Sequence, residues 1–107
     1  MTIEISADET TASRALSRDE DLVVQLSENP TTGYRWQLTQ SGTAQLGLVE
    51  NRFVGGASGT QPGGGGHRLV RFVGQQPGAV VVEAVLRRDW DPPGTVLEKR
   101  VFAIAVR

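Results

Sequence analysis

The sequence predicts an all-β protein, an antiparallel sandwich of about seven short strands, and three observations support this fold class. Valine is the more frequent aliphatic residue, with 13 Val against 9 Leu, and β-branched residues favour strands. Gly, Pro, Asn and Asp interrupt the chain at short intervals, as turns between strands require. Several segments also alternate apolar and polar residues with the period of two that a half-buried strand has.

The alternation is clearest in the second and third predicted strands. Leu22, Val24 and Leu26 occupy every second position of one segment, and Trp36 lies at the centre of a similar pattern between Tyr34 and Leu38. The seven predicted strands are residues 3–5, 22–26, 34–38, 46–53, 69–73, 79–86 and 96–106.

Two segments depart from this pattern. For residues 8–21 the sequence does not decide between a short helical turn and a loose crossing between strands. Residues 98–100, which read Glu-Lys-Arg, interrupt the last strand and predict a bulge or a sheet edge. Short strands at this spacing, with a Trp on the third, are typical of an immunoglobulin-like sandwich, although the usual cysteine pair is absent from this sequence.

Length and composition exclude several classes of function. With 107 residues, the chain is predicted to form a single domain, residues 1–107. The formal net charge is −1, so the sequence lacks the excess of basic residues that is typical of a nucleic-acid-binding protein. No uninterrupted apolar run in the sequence approaches the length needed to span a membrane. The sequence contains no cysteine, so it has neither a disulfide nor a thiolate nucleophile, and we expect no cofactor.

The first ten residues include acidic side chains and lack an apolar stretch, so they do not resemble a secretory signal. The chain as given is therefore expected in the cytoplasm, or in the periplasm or outside the cell if a signal has been removed. We expect a monomer when the protein is free.

Three connections are expected at one end of the sandwich. If successive strands alternate in direction, residues 27–33, 54–67 and 87–95 all emerge at the same end. These are also the three chemically unusual segments of the sequence. The opposite connections, near residues 39–45 and 74–78, read as ordinary short turns. A functional site is therefore expected where the three unusual loops meet.

The first loop is predicted to have a stiff tip. Pro30 fixes its own φ and restricts Asn29, while Gly33 can adopt a positive φ before the next strand begins. Two adjacent threonines at the tip can form adaptable hydrogen bonds. The loop is therefore either a rigid hairpin turn alone or a binding element. Pro30 also excludes Asn29 as a glycosylation site.

The second loop is rich in glycine. Seven of the twelve residues 55–66 are Gly, but no Lys and Ser or Thr follow as a phosphate-binding loop requires. The segment is either a flexible linker or a bare backbone that can pair with another main chain. In the second case, we expect valine at Gly65 or Gly66 to impair binding and to leave thermal stability nearly unchanged.

The third loop places Trp90 among charged residues and prolines. An exposed Trp beside Arg is typical of an interface hot spot, although the ring could instead fold back as a lid on the sandwich. Asp89 and Asp91 resemble a glycosidase pair only superficially, because such carboxylates must face each other across a cleft. The single histidine, His67, has no activated serine to assist, so neither catalysis nor a metal site is expected.

Taken together, the three loops resemble the chagasin family, protein inhibitors of papain-like cysteine peptidases with an immunoglobulin-like fold. The resemblance spans nearly the whole chain. The third family motif, Arg-Pro-Trp or Arg-Pro-Phe, is matched by Arg88 and Trp90, with Asp89 where the family has Pro. The first motif is complete at Asn29, Pro30, Thr31, Thr32, Gly33 and Tyr34, and the second, Gly-x-Gly-Gly, matches Gly63, Gly64, Gly65 and Gly66.

The resemblance implies a reversible, tight-binding inhibitor with no catalytic activity of its own. The first loop would enter the peptidase cleft with Thr31 and Thr32 covering the catalytic cysteine. The glycine loop would lie along the non-primed side, and Arg88 and Trp90 would pack on the primed side. Residues 29–34, 63–66 and 88–90 are thus the expected peptidase-binding residues. The main alternative is an adhesion or carbohydrate-binding module in which Trp90 stacks on a sugar.

Overall fold

The computed structural model describes residues 2–29, 32–55, 66–92 and 94–107. Most strands alternate inward and outward side chains, as the sequence predicts. The strands are β1 (Thr2–Ile5), β2 (Thr11–Leu16), β3 (Asp21–Glu28), β4 (Tyr34–Gln40), β5 (Leu46–Gly55), β6 (Gly66–Gly74), β7 (Gly78–Arg88) and β8 (Glu98–Val106).

The strands form two four-stranded sheets, and the predicted all-β sandwich is confirmed. The first sheet has the order β1-β3-β6-β5, and the second has the order β2-β8-β7-β4. All seven predicted strands are present within these sheets. The pairing is antiparallel at the centre of both sheets, but β1 pairs with β3 in parallel, and so does β2 with β8. Both sheets are therefore mixed.

One strand, β2, is additional to the seven predicted strands, and it comes from the segment that the sequence left undecided. Every second residue of β2 points inward, namely Ala12, Arg14 and Leu16. Because Arg14 is charged, the apolar periodicity of the strand is interrupted in the sequence. The Arg14 guanidinium is accommodated because its Nε donates to the carbonyl oxygen of Glu4 at 3.2 Å and its Nη2 pairs with the Glu9 carboxylate.

The interruption predicted at residues 98–100 is a local sheet edge and not a bulge, because the pairing of β8 with β2 begins only at Val101. β8 begins at Glu98 and pairs regularly with β7, while the bulge of the first sheet lies in β5 between Leu48 and Glu50. Arg100 points inward and is 8% exposed. Its guanidinium lies 5.3 Å from the Trp36 ring centroid and donates to the carbonyl oxygens of Ala7 and Glu9. A buried cation with these partners replaces the expected apolar residue.

The core fills the space between the two sheets with the inward residues of the predicted alternation. Trp36, the largest, is 5% exposed and donates from Nε1 to the carbonyl oxygen of Ser27 at 2.7 Å. Among the described ranges, no helix is long and apolar enough to cross a membrane. The most deeply buried side chains include Leu22, Val24, Leu26, Val70, Phe72, Val80, Val82, Phe102 and Ile104.

The strand registers bring three connections to one end of the sandwich, called the loop end below. The end of β3 pairs with the start of β6 at Glu28 and Gly66, and the start of β4 pairs with the end of β7 at Tyr34 and Arg88. The β3–β4, β5–β6 and β7–β8 connections therefore leave from the same end, as predicted. At the opposite end, the β4–β5 and β6–β7 turns meet, where the Gln75 N–H donates to the carbonyl oxygen of Gln45 at 2.8 Å.

Candidate functional site

The first loop is closed by hydrogen bonds of Thr32. Its N–H and its Oγ1 both donate to the carbonyl oxygen of Asn29, at 3.2 and 2.8 Å, and Oγ1 accepts the Tyr34 N–H at 3.3 Å. These bonds therefore connect Asn29, where the loop begins, to Thr32 and Tyr34, where it ends. Pro30 and Thr31, which the sequence places at that tip, lie outside the described residues.

Glu28 anchors the base of the first loop, and it belongs to β3 rather than to the loop. Its side chain is 2% exposed and forms an ion pair with Arg68 of β6, with N–O distances of 2.9 to 3.1 Å. Glu28 Oε2 also accepts the Trp36 N–H at 2.9 Å, so one carboxylate joins both sheets beneath the loop. Arg68 additionally donates to Asn51 Oδ1 at 2.8 Å.

The role of Glu28 was not predicted from the sequence, although a signal was present. The alternation of Leu22, Val24 and Leu26 continues to position 28 and places its side chain on the inward face. A carboxylate there requires a buried cation. Its partner, Arg68, is 40 residues away in sequence, so periodicity alone could not identify it.

The first and third loops contact each other through Gly33 and Trp90. Gly33 has φ +81°, a conformation that favours glycine. The Trp90 ring lies directly against its Cα, and a Cβ built on Gly33 would overlap the ring, with Cζ2 only 2.9 Å away. The glycine of the first loop is therefore required twice, once for its backbone conformation and once to let the indole approach.

We expect Gly33→Ala to displace the Trp90 ring. The added methyl group overlaps the ring. In addition, alanine in a backbone conformation with positive φ destabilises the folded protein by about 1 kcal/mol. A red shift of the Trp90 fluorescence in a Trp36→Phe background would report the displacement. Thr43→Gly, at an exposed position away from the loop end, is the control for a change in glycine content, and it should leave the emission spectrum unchanged. An unchanged emission spectrum in Gly33→Ala would contradict the contact.

The third loop is ordered by Arg88. Its carbonyl oxygen accepts the Asp91 N–H at 3.2 Å, which defines a β-turn, and its Nε pairs with Asp91 Oδ2 at 3.1 Å. The guanidinium lies 4.7 Å from the Tyr34 ring centroid and 5.6 Å from that of Trp90. The hydrogen bond that Arg88 donates to the Asp91 carboxylate raises the pKa of Arg88, so this cation stays charged beside the two rings.

Trp90 projects from this turn into solvent. Its side chain is 69% exposed, so the interpretation of Trp90 as a lid over the core is wrong. Asp89 is also exposed, and its Oδ1 accepts a hydrogen bond from Gln37 Nε2 at 3.4 Å. The third loop therefore presents an indole supported by Gly33 on one side and by the Arg88 cation on the other.

Only the end of the glycine motif can be described. Gly63, Gly64 and Gly65 lie outside the described residues, whereas Gly66 is the first residue of β6. A Cβ on Gly66 would overlap the Val54 carbonyl oxygen and lie 2.9 Å from Phe53 Cζ. The expectation that valine at position 66 leaves stability unchanged is therefore wrong, because the neighbouring backbone leaves no room for a side chain.

A cavity of about 590 Å³ opens at the loop end between the two sheets. Its walls are mainly apolar, and Glu28 and the exposed His67 border it. Within the part of the chain that the structure describes, no group of three or more His, Asp or Glu side chains could hold a metal ion. The described lining residues are Ser27, Glu28, Asn29, Thr32, Tyr34, Gly66, His67, Leu86 and Leu97.

Solved structures with the same fold were identified by structural comparison. A cysteine protease inhibitor from Entamoeba histolytica superposes with a TM-score of 0.86 at 20% identity, covering 99% of this chain and 96% of that protein. Amebosin gives 0.78 at 23% identity, with 100% and 99% covered. PbICP-C, solved in complex with falcipain-2, gives 0.71 at 14% identity, with 99% and 98% covered. At these identities the similarity establishes the fold.

The family assignment comes from the sequence itself. Among curated protein sequences, none matches the chain significantly. The sequence profile of the chagasin family of peptidase inhibitors matches residues 15–106, which include the described parts of all three loops. With most of its length matched and with the fold of these inhibitors, the chain belongs to the chagasin family of peptidase inhibitors.

Proposed function

We propose that this protein inhibits papain-like cysteine peptidases reversibly, by inserting the loop end into the active-site cleft. The contact of Trp90 with Gly33 carries the proposal, because it joins the first and third loops into one continuous surface. The solved complex of PbICP-C with falcipain-2 supports a cysteine peptidase as the partner. The protein acts by binding alone and performs no catalytic step.

The proposed contact surface has three parts. Residues 29–34 enter the cleft beside the catalytic cysteine, residues 63–66 follow the non-primed side, and residues 88–90 pack on the primed side. The hydrogen-bonded first loop and the arginine-supported Trp90 reduce the ordering entropy that binding would otherwise cost. A surface at one end of a small sandwich can supply the roughly 800 Å² per partner of a standard interface.

Titration of papain with the purified protein tests the proposal. With a fluorogenic peptide substrate, we expect activity to fall linearly to zero at one equivalent and to return on dilution. The inhibitor recovered from the complex is expected to be intact by mass spectrometry. Unchanged turnover at a large molar excess, against papain and falcipain-2, would contradict inhibition and favour the adhesion or carbohydrate-binding alternative.

Asp89 occupies a turn position that suits proline. The bond from the Asp91 N–H to the Arg88 carbonyl oxygen makes residue 89 the second residue of the turn, where proline is favoured. We expect Asp89→Pro to keep or raise the melting temperature and to strengthen inhibition by about 0.5 kcal/mol, because the unbound loop is more restricted. The measurements are thermal unfolding and the inhibition constant for papain.

Asp89→Ala serves as the matched control for this prediction. It removes the hydrogen bond with Gln37 without restricting the backbone, so it separates loss of the carboxylate from the effect of the proline ring. Weaker inhibition by Asp89→Pro than by Asp89→Ala would show that the turn must change conformation on binding.

A further inference from the structure

Two arginines lie directly opposite each other beside the third loop. In the register of β4 with β7, Arg35 faces Arg87. Their neighbours Trp36 and Leu86 point into the core, so both arginines lie on the outer face of the second sheet. Like charges at directly opposite positions of two strands destabilise the pair. The isolated fold therefore gains nothing from this arrangement of charges.

Most other cations of the described chain have acidic partners. Ion pairs engage Arg14, Arg52, Arg68, Arg71, Arg88, Lys99 and Arg100. Within the described ranges, Arg35 and Arg87 form no ion pair, and only Arg18 and Arg107 share this property. Two of these four cations thus lie side by side next to the candidate site.

The guanidinium of Arg87 has unused hydrogen-bonding capacity. Its Nη2 donates to the carbonyl oxygen of Asp91 at 3.1 Å, whereas its Nε is buried and has no acceptor within the described chain. The two carboxylates of the third loop are engaged elsewhere, Asp91 with Arg88 and Asp89 with Gln37. Neither of them neutralises the arginine pair.

The arginine pair is continuous with the proposed binding surface. Arg35 lies two residues before Gln37 on the same outward face of β4, and Gln37 contacts Asp89 of the third loop. Arg87 contacts the backbone of the same loop. At the end of the β7–β8 connection, Val96 and Leu97 are 40% and 58% exposed, and the Leu97 N–H donates to the carbonyl oxygen of Leu86, beside Arg87, at 2.8 Å. The surface beside Trp90 therefore combines cationic and apolar groups.

We propose that Arg35 and Arg87 form a second contact with the peptidase, on an acidic surface at the primed-side rim of its cleft. This inference rests on the proposed function, which places Trp90 on the primed side. A carboxylate of the partner would neutralise the like-charge pair. Because exposed rim charges act mainly on the association rate, the contact would select acidic peptidases during encounter, while Trp90 slows dissociation.

The substitution Arg35→Glu separates binding from stability. In the free protein it converts a like-charge pair into an opposite-charge pair with Arg87, so we expect an equal or higher melting temperature. Association with an acidic rim is expected to slow at the same time. Arg18→Glu makes the same change of charge on an exposed arginine in the β2–β3 turn at the opposite end, and it provides the matched control.

The experiment is a charge exchange with two papain variants, one with two glutamates introduced on the primed-side rim and one with two lysines at the same positions. At low ionic strength, we expect the wild type to associate with the glutamate variant about tenfold faster than with the lysine variant, a difference that salt removes. Arg35→Glu should abolish or reverse this preference. Arg18→Glu should retain it.

The outcomes separate the inference from the proposed function. An unchanged preference in Arg35→Glu, with normal inhibition by the wild type, would overturn the arginine contact alone. Equal association rates of the wild type with both papain variants would overturn it as well. Absence of inhibition of unmodified papain and falcipain-2 by the wild type would overturn the proposed function, and the arginine contact with it.

Discussion

Replacement of Trp90 by alanine is expected to weaken inhibition of papain by about 2 kcal/mol or more, which corresponds to roughly 30-fold in the inhibition constant. The side chain is 69% exposed in the free protein, so its removal costs little folding free energy. In the complex the same indole would be buried against the peptidase. The inhibition constant should therefore rise mainly through faster dissociation, while the melting temperature changes little.

Leu48→Ala is the matched control for this prediction. Leu48 is 54% exposed, but it lies on β5 towards the end opposite the three loops. Its replacement removes a comparably exposed apolar side chain and should leave the inhibition constant unchanged. Equal inhibition by the wild type and by Trp90→Ala would exclude Trp90 from the binding surface.

Replacement of Glu28 by alanine is expected to reduce the free energy of unfolding by about 3 kcal/mol, the lower end of the range for a broken buried ion pair. The change leaves the largely buried guanidinium of Arg68 without its carboxylate and the Trp36 N–H without its acceptor. Chemical denaturation of the variant gives the loss directly. Because Glu28 precedes the first loop, inhibition should also weaken.

Two further variants distinguish the lost ion pair from the lost side-chain volume. Glu28→Gln keeps an acceptor for Trp36 and should be less destabilised than Glu28→Ala. In the double variant Glu28→Ala, Arg68→Met, the unpaired charge is removed, so part of the stability should return. A loss below about 1 kcal/mol in Glu28→Ala would show that water or other groups replace the carboxylate.

The sequence was sufficient for the parts of the fold that follow local periodicity. Leu22, Val24 and Leu26 identified β3 and its buried face, and the alternation around Trp36 did the same for β4. Periodicity failed where a polar residue occupies an inward position, as Arg14 does in β2 and Arg100 does in β8. Their partners come from residues 4–9, which are distant from Arg100 in sequence and become neighbours only after folding.

The candidate site was predictable in its location but not in its internal contacts. Alternating strand directions placed three loops at one end, and the registers confirm this for the residues that the structure describes. The approach of Trp90 to Gly33 depends on the conformation of two loops that are far apart in sequence. Neither residue type nor spacing specifies such a contact. The roles of Pro30, Thr31 and Gly63–Gly65 stay predictions.

Occlusion of the cleft by the loop end is tested most directly by competition for the peptidase active site. Binding of the protein to immobilised papain is measured before and after the cleft is filled by a covalent peptidyl chloromethyl ketone. We expect binding to be lost with the peptidyl inhibitor in place and to persist when only a small methylthio group blocks the cysteine. Equal affinity for free papain and for papain with a filled cleft would contradict occlusion.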